Sequence, residues 1–121
     1  MVIDGNGTDG AGTATLGLSR LELHDRRTGP RHTLVLTGEL DVASASALDA
    51  TLHEICTDAT DALALDLSAL TFMDSSGLRL VLLARDLCQR HGCEFMLIPG
   101  PAQVQRLFEV TGLIEQLPFV A

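Results

Sequence analysis

Lysine is absent from this chain: all 8 of its basic residues are Arg. Enzymes that form a Schiff base on a Lys amine are therefore excluded, and so are P-loop nucleotide hydrolases and protein kinases, whose Lys reaches the nucleotide phosphates. Aromatic residues are scarce, with four Phe and neither Tyr nor Trp. That leaves too few rings for a base-stacking nucleic-acid platform. The longest apolar run, Leu80-Val81-Leu82-Leu83-Ala84, is far shorter than the roughly 20 residues of a membrane-spanning helix, so no direct membrane insertion is expected. The start, Met1-Val2-Ile3-Asp4-Gly5, lacks the basic and apolar regions of a secretory signal. With three cysteines and no export signal, Cys56, Cys88 and Cys93 read as reduced thiols in a cytoplasmic protein.

What is present describes one globular unit. The 121 residues suit a single domain, and 46% hydrophobic against 20% charged residues supports a packed core. The balance of 16 acidic to 8 basic residues gives a net charge of −8, which opposes binding to nucleic acid or anionic lipid.

Residues 1–17 are rich in Gly and Thr without periodicity and read as a flexible leader, with the folded domain covering 18–121. Leu21 and Leu23 alternate with Arg20, Glu22 and His24, predicting a half-buried strand, and Thr33–Thr37 predicts a second that closes a hairpin. After Gly38 the period becomes helical: Asp41 is placed to cap, and Val42, Ala45, Leu48, Leu52, Ile55 and Cys56 form a stripe. Ala62–Leu67 predicts a third strand, Ser76–Gln89 a second helix with Leu80, Leu83, Ala84, Leu87 and Cys88 inward, and Glu94–Ile98 a fourth strand. Pro101 suits the start of a third helix carrying Val104, Leu107, Phe108 and Thr111, with Gly112 closing it and Leu117–Val120 as a last strand. The order ββαβαβαβ implies an α/β fold with a mixed, mostly parallel sheet and helices packed against it.

The segment Leu70-Thr71-Phe72-Met73-Asp74-Ser75-Ser76-Gly77-Leu78 joins the third strand to the second helix. Loops at the carboxyl ends of strands are where open α/β sheets build sites. Two serines beside the unpaired N–H groups of a helix start suit an anion, or a residue that becomes one; on physical grounds alone, Asp and Ser before a helix are usually caps and nothing more. With Leu80, Leu83 and Leu87 facing the core, Leu78, Leu82 and Arg85 fall on another stripe of the helix, which reads either as an interface or as a wider buried face. Cys88, His91 and Cys93 lack a fourth ligand and read as core and strand-start residues, so no metal is expected. Neither G-x-S-x-G nor catalytic spacing of His24, His32, His53 and His91 is present, so a Ser/His/Asp hydrolase is not expected.

Asp74-Ser75-Ser76-Gly77-Leu78, preceded by Phe72-Met73, resembles the signature of the STAS family, in particular its bacterial anti-sigma factor antagonists. Gly38-Glu39-Leu40-Asp41, Leu63 to Leu67 followed by Ser68, and Val104-Gln105-Arg106-Leu107-Phe108 with Gly112-Leu113 resemble further family motifs, in order, over about residues 18–120. The resemblance implies a STAS domain, not an enzyme and without a cofactor, that binds an anti-sigma factor which is also a serine kinase of the histidine-kinase-like ATPase type, and so frees the sigma factor. It implies Ser75 as the phosphorylated residue, with Ser76 as the alternative acceptor and expected cap, and a metal-dependent Ser/Thr phosphatase as the reversing enzyme. Phosphorylation is expected to switch binding off. Partner contacts are expected from Glu39, Asp41, Asp74, Ser75, Ser76, Gly77, Leu78, Leu82 and Arg85, with Gly77 admitting a partner's backbone. Two other roles open to the family are an accessory subunit of a membrane transport system and a scaffold subunit of a larger signalling assembly.

Overall fold

Alternating leucines dictate the centre of the fold. Leu21 and Leu23, Leu34 and Leu36, and Leu63, Leu65 and Leu67 are all buried, so three neighbouring strands turn one continuous apolar face toward the helices. The computed structural model describes residues 11–18 and 20–120. Its elements are β1 (Ala11–Leu18), β2 (Leu21–Thr28), β3 (Arg31–Leu40), α1 (Val42–Ile55), β4 (Ala62–Met73), α2 (Ser75–His91), β5 (Glu94–Ile98), α3 (Ala102–Val110) and a 3-10 turn at Leu113–Glu115. The sheet order follows the chain, β1-β2-β3-β4-β5. Pairings β1–β2 and β2–β3 are antiparallel, whereas β3–β4 and β4–β5 are parallel. The α/β class and the β2–β3 hairpin agree with the sequence reading.

Three expectations need correction. The flexible leader gives way to strand β1, whose register with β2 runs from Ala11 opposite Thr28 to Leu18 opposite Leu21; residues 1–10 of that leader lie outside the described residues. A strand pairing along one edge is held by its backbone ladder, which a count of apolar side chains does not register. The third predicted strand does not stop at Leu67 but continues, as β4, to Met73. Two register shifts, between Val35 and Thr37 and between Gly38 and Glu39, each place an extra β4 residue against β3. Burial along β4 therefore steps from Leu67 to Leu70 to Met73, and simple alternation is lost. At the first irregularity Asp66 Oδ1 accepts hydrogen bonds from the Ser68 N–H (2.9 Å) and hydroxyl (2.6 Å). Finally, Leu117–Val120 forms no strand. Pro118 has no N–H to donate, and only one parallel bridge, Leu97 to Phe119, joins this segment to β5. The observed order is thus βββαβαβα. Phe119 still anchors the end of the chain, edge-on to Phe108 at 5.0 Å.

The helices refine the predicted stripes. In α1, Ser44 and Thr51 join Ala45, Leu48 and Leu52 in the interior, while Val42 is 71% exposed. Ser44 is accepted there because its hydroxyl bonds to backbone at both Asp41 and Glu39. Helix α2 packs against β4, β5, α1 and α3. It consequently buries a wide face: Gly77, Leu78, Leu80, Val81, Ala84, Leu87 and Cys88. Leu83 and Leu107 are half-buried and Thr111 is exposed.

Candidate functional site

Parallel pairing of β3 with β4 brings their carboxyl ends side by side, so α1 and α2 start from neighbouring points. The Asp74 N–H donates to the Leu40 carbonyl at 3.3 Å and ties the two helix starts together. Each helix is capped by the Asp that ends its loop. Asp41 Oδ1 accepts from the N–H groups of Ala43 and Ser44, both at 3.1 Å, while the Ser44 hydroxyl accepts from the Asp41 N–H at 3.0 Å, completing a reciprocal capping box. The Ser44 N–H foremost, then its hydroxyl and the Ala43 N–H, hold the Asp41 carboxyl below its ordinary value. Asp74 accepts from the Ser76 N–H at 2.9 Å. The expectation that Ser76 caps α2 is therefore corrected: Asp74 is the cap, and Ser76 is the half-buried second helical residue. Ser75 occupies the first helical position and is exposed.

Two expected contact residues point inward. A Cβ built on Gly77 lies 2.3 Å from Met73 Cγ and 3.1 Å from Leu40 Cδ2, so Gly77 lets α2 close onto the ends of β3 and β4. It is buried, which removes it as an approach for a partner's backbone. Leu78 is 7% exposed and belongs to the core. Leu82 is half-buried and packed against that core, and Arg85 lies 3.4 Å from Asp86. Leu78 thus belongs to a wider buried face, because α2 has neighbours on several sides, whereas Leu82 and Arg85 stay half-buried.

Glu39 sits where β3 meets α1, its carboxylate 3.3 Å from the Arg20 guanidinium. Gly38 makes that junction possible: at φ +107 its backbone passes so close to the Arg20 carbonyl that a Cβ would lie 2.3 Å from the oxygen. Nearby, the Thr71 hydroxyl donates to the Gly38 carbonyl at 3.1 Å and the Gln103 amide donates to the Thr71 carbonyl at 3.4 Å. Phe72 remains 46% exposed one residue before Met73.

Sequence reasoning missed the groove between α1 and α2. Val42, Ala45, Ser46, Asp49, Ser76, Arg79, Leu80 and Leu83 line a depression of about 390 Å³ beside Ser75. The available signal was Val42 itself, an apolar residue directly after a helix cap, which the stripe assignment absorbed into the core. The cysteines lie elsewhere and are all buried. The neighbouring Cys56 thiol and burial push the Cys88 thiol up, and burial pushes Cys93 up. His91 instead faces Asp58 at 2.6 Å.

A sequence model of the family described as "Mlab, STAS domain" matches residues 23–119. The chain belongs to the STAS-domain family. Among solved structures, this STAS domain is similar to an anti-sigma factor antagonist from Mycobacterium paratuberculosis, with 23% identity over 82% of this chain and 84% of that one and a TM-score of 0.72. It is also similar to the anti-sigma factor antagonist SpoIIAA in its unphosphorylated form, with 21% identity, 91% and 89% coverage and a TM-score of 0.66. The Bacillus cell fate determinant SpoIIAA in its phosphorylated form gives 20% identity, 91% and 92% coverage and a TM-score of 0.61. At these identities the likeness establishes a shared fold. Among the described residues no helix is long and apolar enough to cross a membrane.

Proposed function

We propose that this STAS domain is an anti-sigma factor antagonist controlled by phosphorylation of Ser75. The observation that carries the reading is the placement of one hydroxyl. Ser75 is exposed at the first position of α2, directly after its capping Asp and beside the groove between α1 and α2. Two of the similar structures are of anti-sigma factor antagonists, and one is of a phosphorylated form, which favours this use of the fold.

The unmodified domain docks on an anti-sigma factor that is also a serine kinase of the histidine-kinase-like ATPase type, and the sigma factor is released. In the modifying step the γ-phosphoryl group of ATP passes to Ser75 Oγ, the hydroxyl proton goes to a base on the kinase, and ADP leaves. ATP and its Mg²⁺ belong to the kinase, and the domain itself catalyses nothing. A metal-dependent Ser/Thr phosphatase restores the hydroxyl, and the cycle runs in the cytoplasm. Phosphate adds about −1.5 to −2 charges at pH 7 beside Asp74, in a chain of net charge −8. A 100-fold loss of affinity requires only about 2.7 kcal/mol, well within the reach of a desolvated like-charge contact. Contacts come from Ser75 and its exposed surroundings, with Glu39, Asp74 and Ser76 at the rim.

The test is incubation of the purified domain with candidate kinases and labelled ATP, followed by intact mass. Label and a gain of about 80 Da in wild type but not in Ser75→Ala support the reading. Label that persists in Ser75→Ala and disappears in Ser76→Ala assigns the acceptor to Ser76 and overturns the Ser75 assignment. Unmodified protein that co-purifies with membranes points instead to a transport accessory role.

A further inference from the structure

The groove beside Ser75 carries one cation and one anion, on opposite walls: Arg79 on α2 and Asp49 on α1. Arg79 is exposed and has no ion-pair partner among the described residues. It also stands four residues after Ser75 on the same helix, a spacing that puts their Cβ atoms about 5–6 Å apart on one face. Arg20, near the same helix starts, is held by Glu39. The acids around the helix starts are Asp74 and Asp41, both engaged as caps, together with Glu39, while Asp49 lies further along α1, 3.1 Å from the His53 ring. A phosphate on Ser75 therefore finds acids on its own loop and on α1, and one uncommitted cation within reach. The planar guanidinium fork matches phosphate oxygens, and it approaches from the side away from Asp74.

We infer that Arg79 is the intramolecular counter-ion of a phosphate on Ser75 and leaves the α1–α2 groove when that serine is modified. The inference rests on the phosphorylation reading above and adds a second effect to it. The unmodified groove presents Arg79 opposite Asp49, and the modified one presents Asp49 alone. A partner acid that reads Arg79 in the groove loses its contact at a distance from the phosphate, so one modification alters two neighbouring parts of the docking surface. Compensation by Arg79 also lets the domain carry the new charge without disturbing α2.

The experiment uses the full chain with phosphoserine encoded at position 75 by codon suppression, so no kinase is required. A ³¹P NMR titration reads the second ionisation of the phosphate in wild type, Arg79→Gln and Arg79→Lys. Wild type and Arg79→Lys are expected to titrate about 0.15 to 0.4 pH units below Arg79→Gln, because a cation one turn away favours the dianion. Arg79 is exposed, so these substitutions leave the fold intact. Coincident titrations in all three proteins overturn the inference. That outcome is distinct from failure of the phosphorylation reading, which is judged by whether a kinase modifies Ser75 at all.

Discussion

Single atoms decide how the two helix starts behave. At Gly77, adding a methyl group drives a Cβ to within 2.3 Å of the buried Met73 side chain and 3.1 Å of Leu40. Ala gains roughly 1 kcal/mol in helix propensity over Gly, whereas overpacking costs about 1–3 kcal/mol. Gly77→Ala is therefore expected to destabilise the domain by about 1 kcal/mol, read as a lower urea midpoint at unchanged m. A stabilised variant would show that Met73 repacks freely. Asp41 gives a prediction with a pH signature. Hydrogen bonds at the α1 start depress its carboxyl below 3.8, so the unfolded chain binds that proton at a higher pH than the folded one. The stabilisation this produces is present above the unfolded value and disappears as pH falls through the folded one. Asp41→Asn keeps a capping oxygen and removes the charge, so wild type should exceed it in stability at pH 7 and converge with it as pH falls through the folded value. A gap that stays constant across this range would assign the difference to something other than ionisation.

Among the elements, α2 changes the most between sequence and structure. Periodicity located it within two residues at either end, yet it could not show how many neighbours the helix has. Because α2 meets two strands and two helices, Leu78 and Leu82 are core or core-packed. Leu82→Asp is accordingly expected to destabilise the domain by about 1–3 kcal/mol, from a charge set against the core and a lost apolar contact. Val42→Asp, at a position 71% exposed on α1, should change stability by no more than about 0.5 kcal/mol while weakening kinase capture. Thermal unfolding and pull-down of the two variants in parallel check this; equal unfolding behaviour contradicts the placement of Leu82. The strands show the same division. Leu21 and Leu23, Leu34 and Leu36, and Leu63 to Leu67 were legible because they alternate on one covered face. Strand β4 beyond Leu67 was not, since two bulges break its period, and β1 was not, since its pairing is written in backbone hydrogen bonds. At the candidate site, Asp41 as a cap and the exposure of Ser75 could be expected from local chemistry. The groove could not, because Asp49 and Arg79 come to line one depression only after α1 and α2 pack.

For the molecule as a whole, the proposed switch requires that a new charge alter association without altering the fold. The site allows this: Ser75 is exposed, its side chain holds no core contact, and it lies at the positive end of a 17-residue helix. An acid in the first turn is favourable by about 0.3–1 kcal/mol. For a domain near this size, that corresponds to a melting temperature higher by about 1–6 °C. Ser75→Asp should therefore melt at or slightly above wild type while binding the anti-sigma factor at least about 100-fold more weakly, a separation of stability from affinity that calorimetry and binding titration read on the same sample. Arg79 strengthens the expectation, because it gives the introduced carboxylate a partner one turn away. A variant that melts well below wild type would mean that Ser75 supports the fold, and loss of binding would then follow from unfolding. A variant that melts normally and binds with wild-type affinity would leave the fold intact but remove charge at this helix start as the signal that separates the two partners.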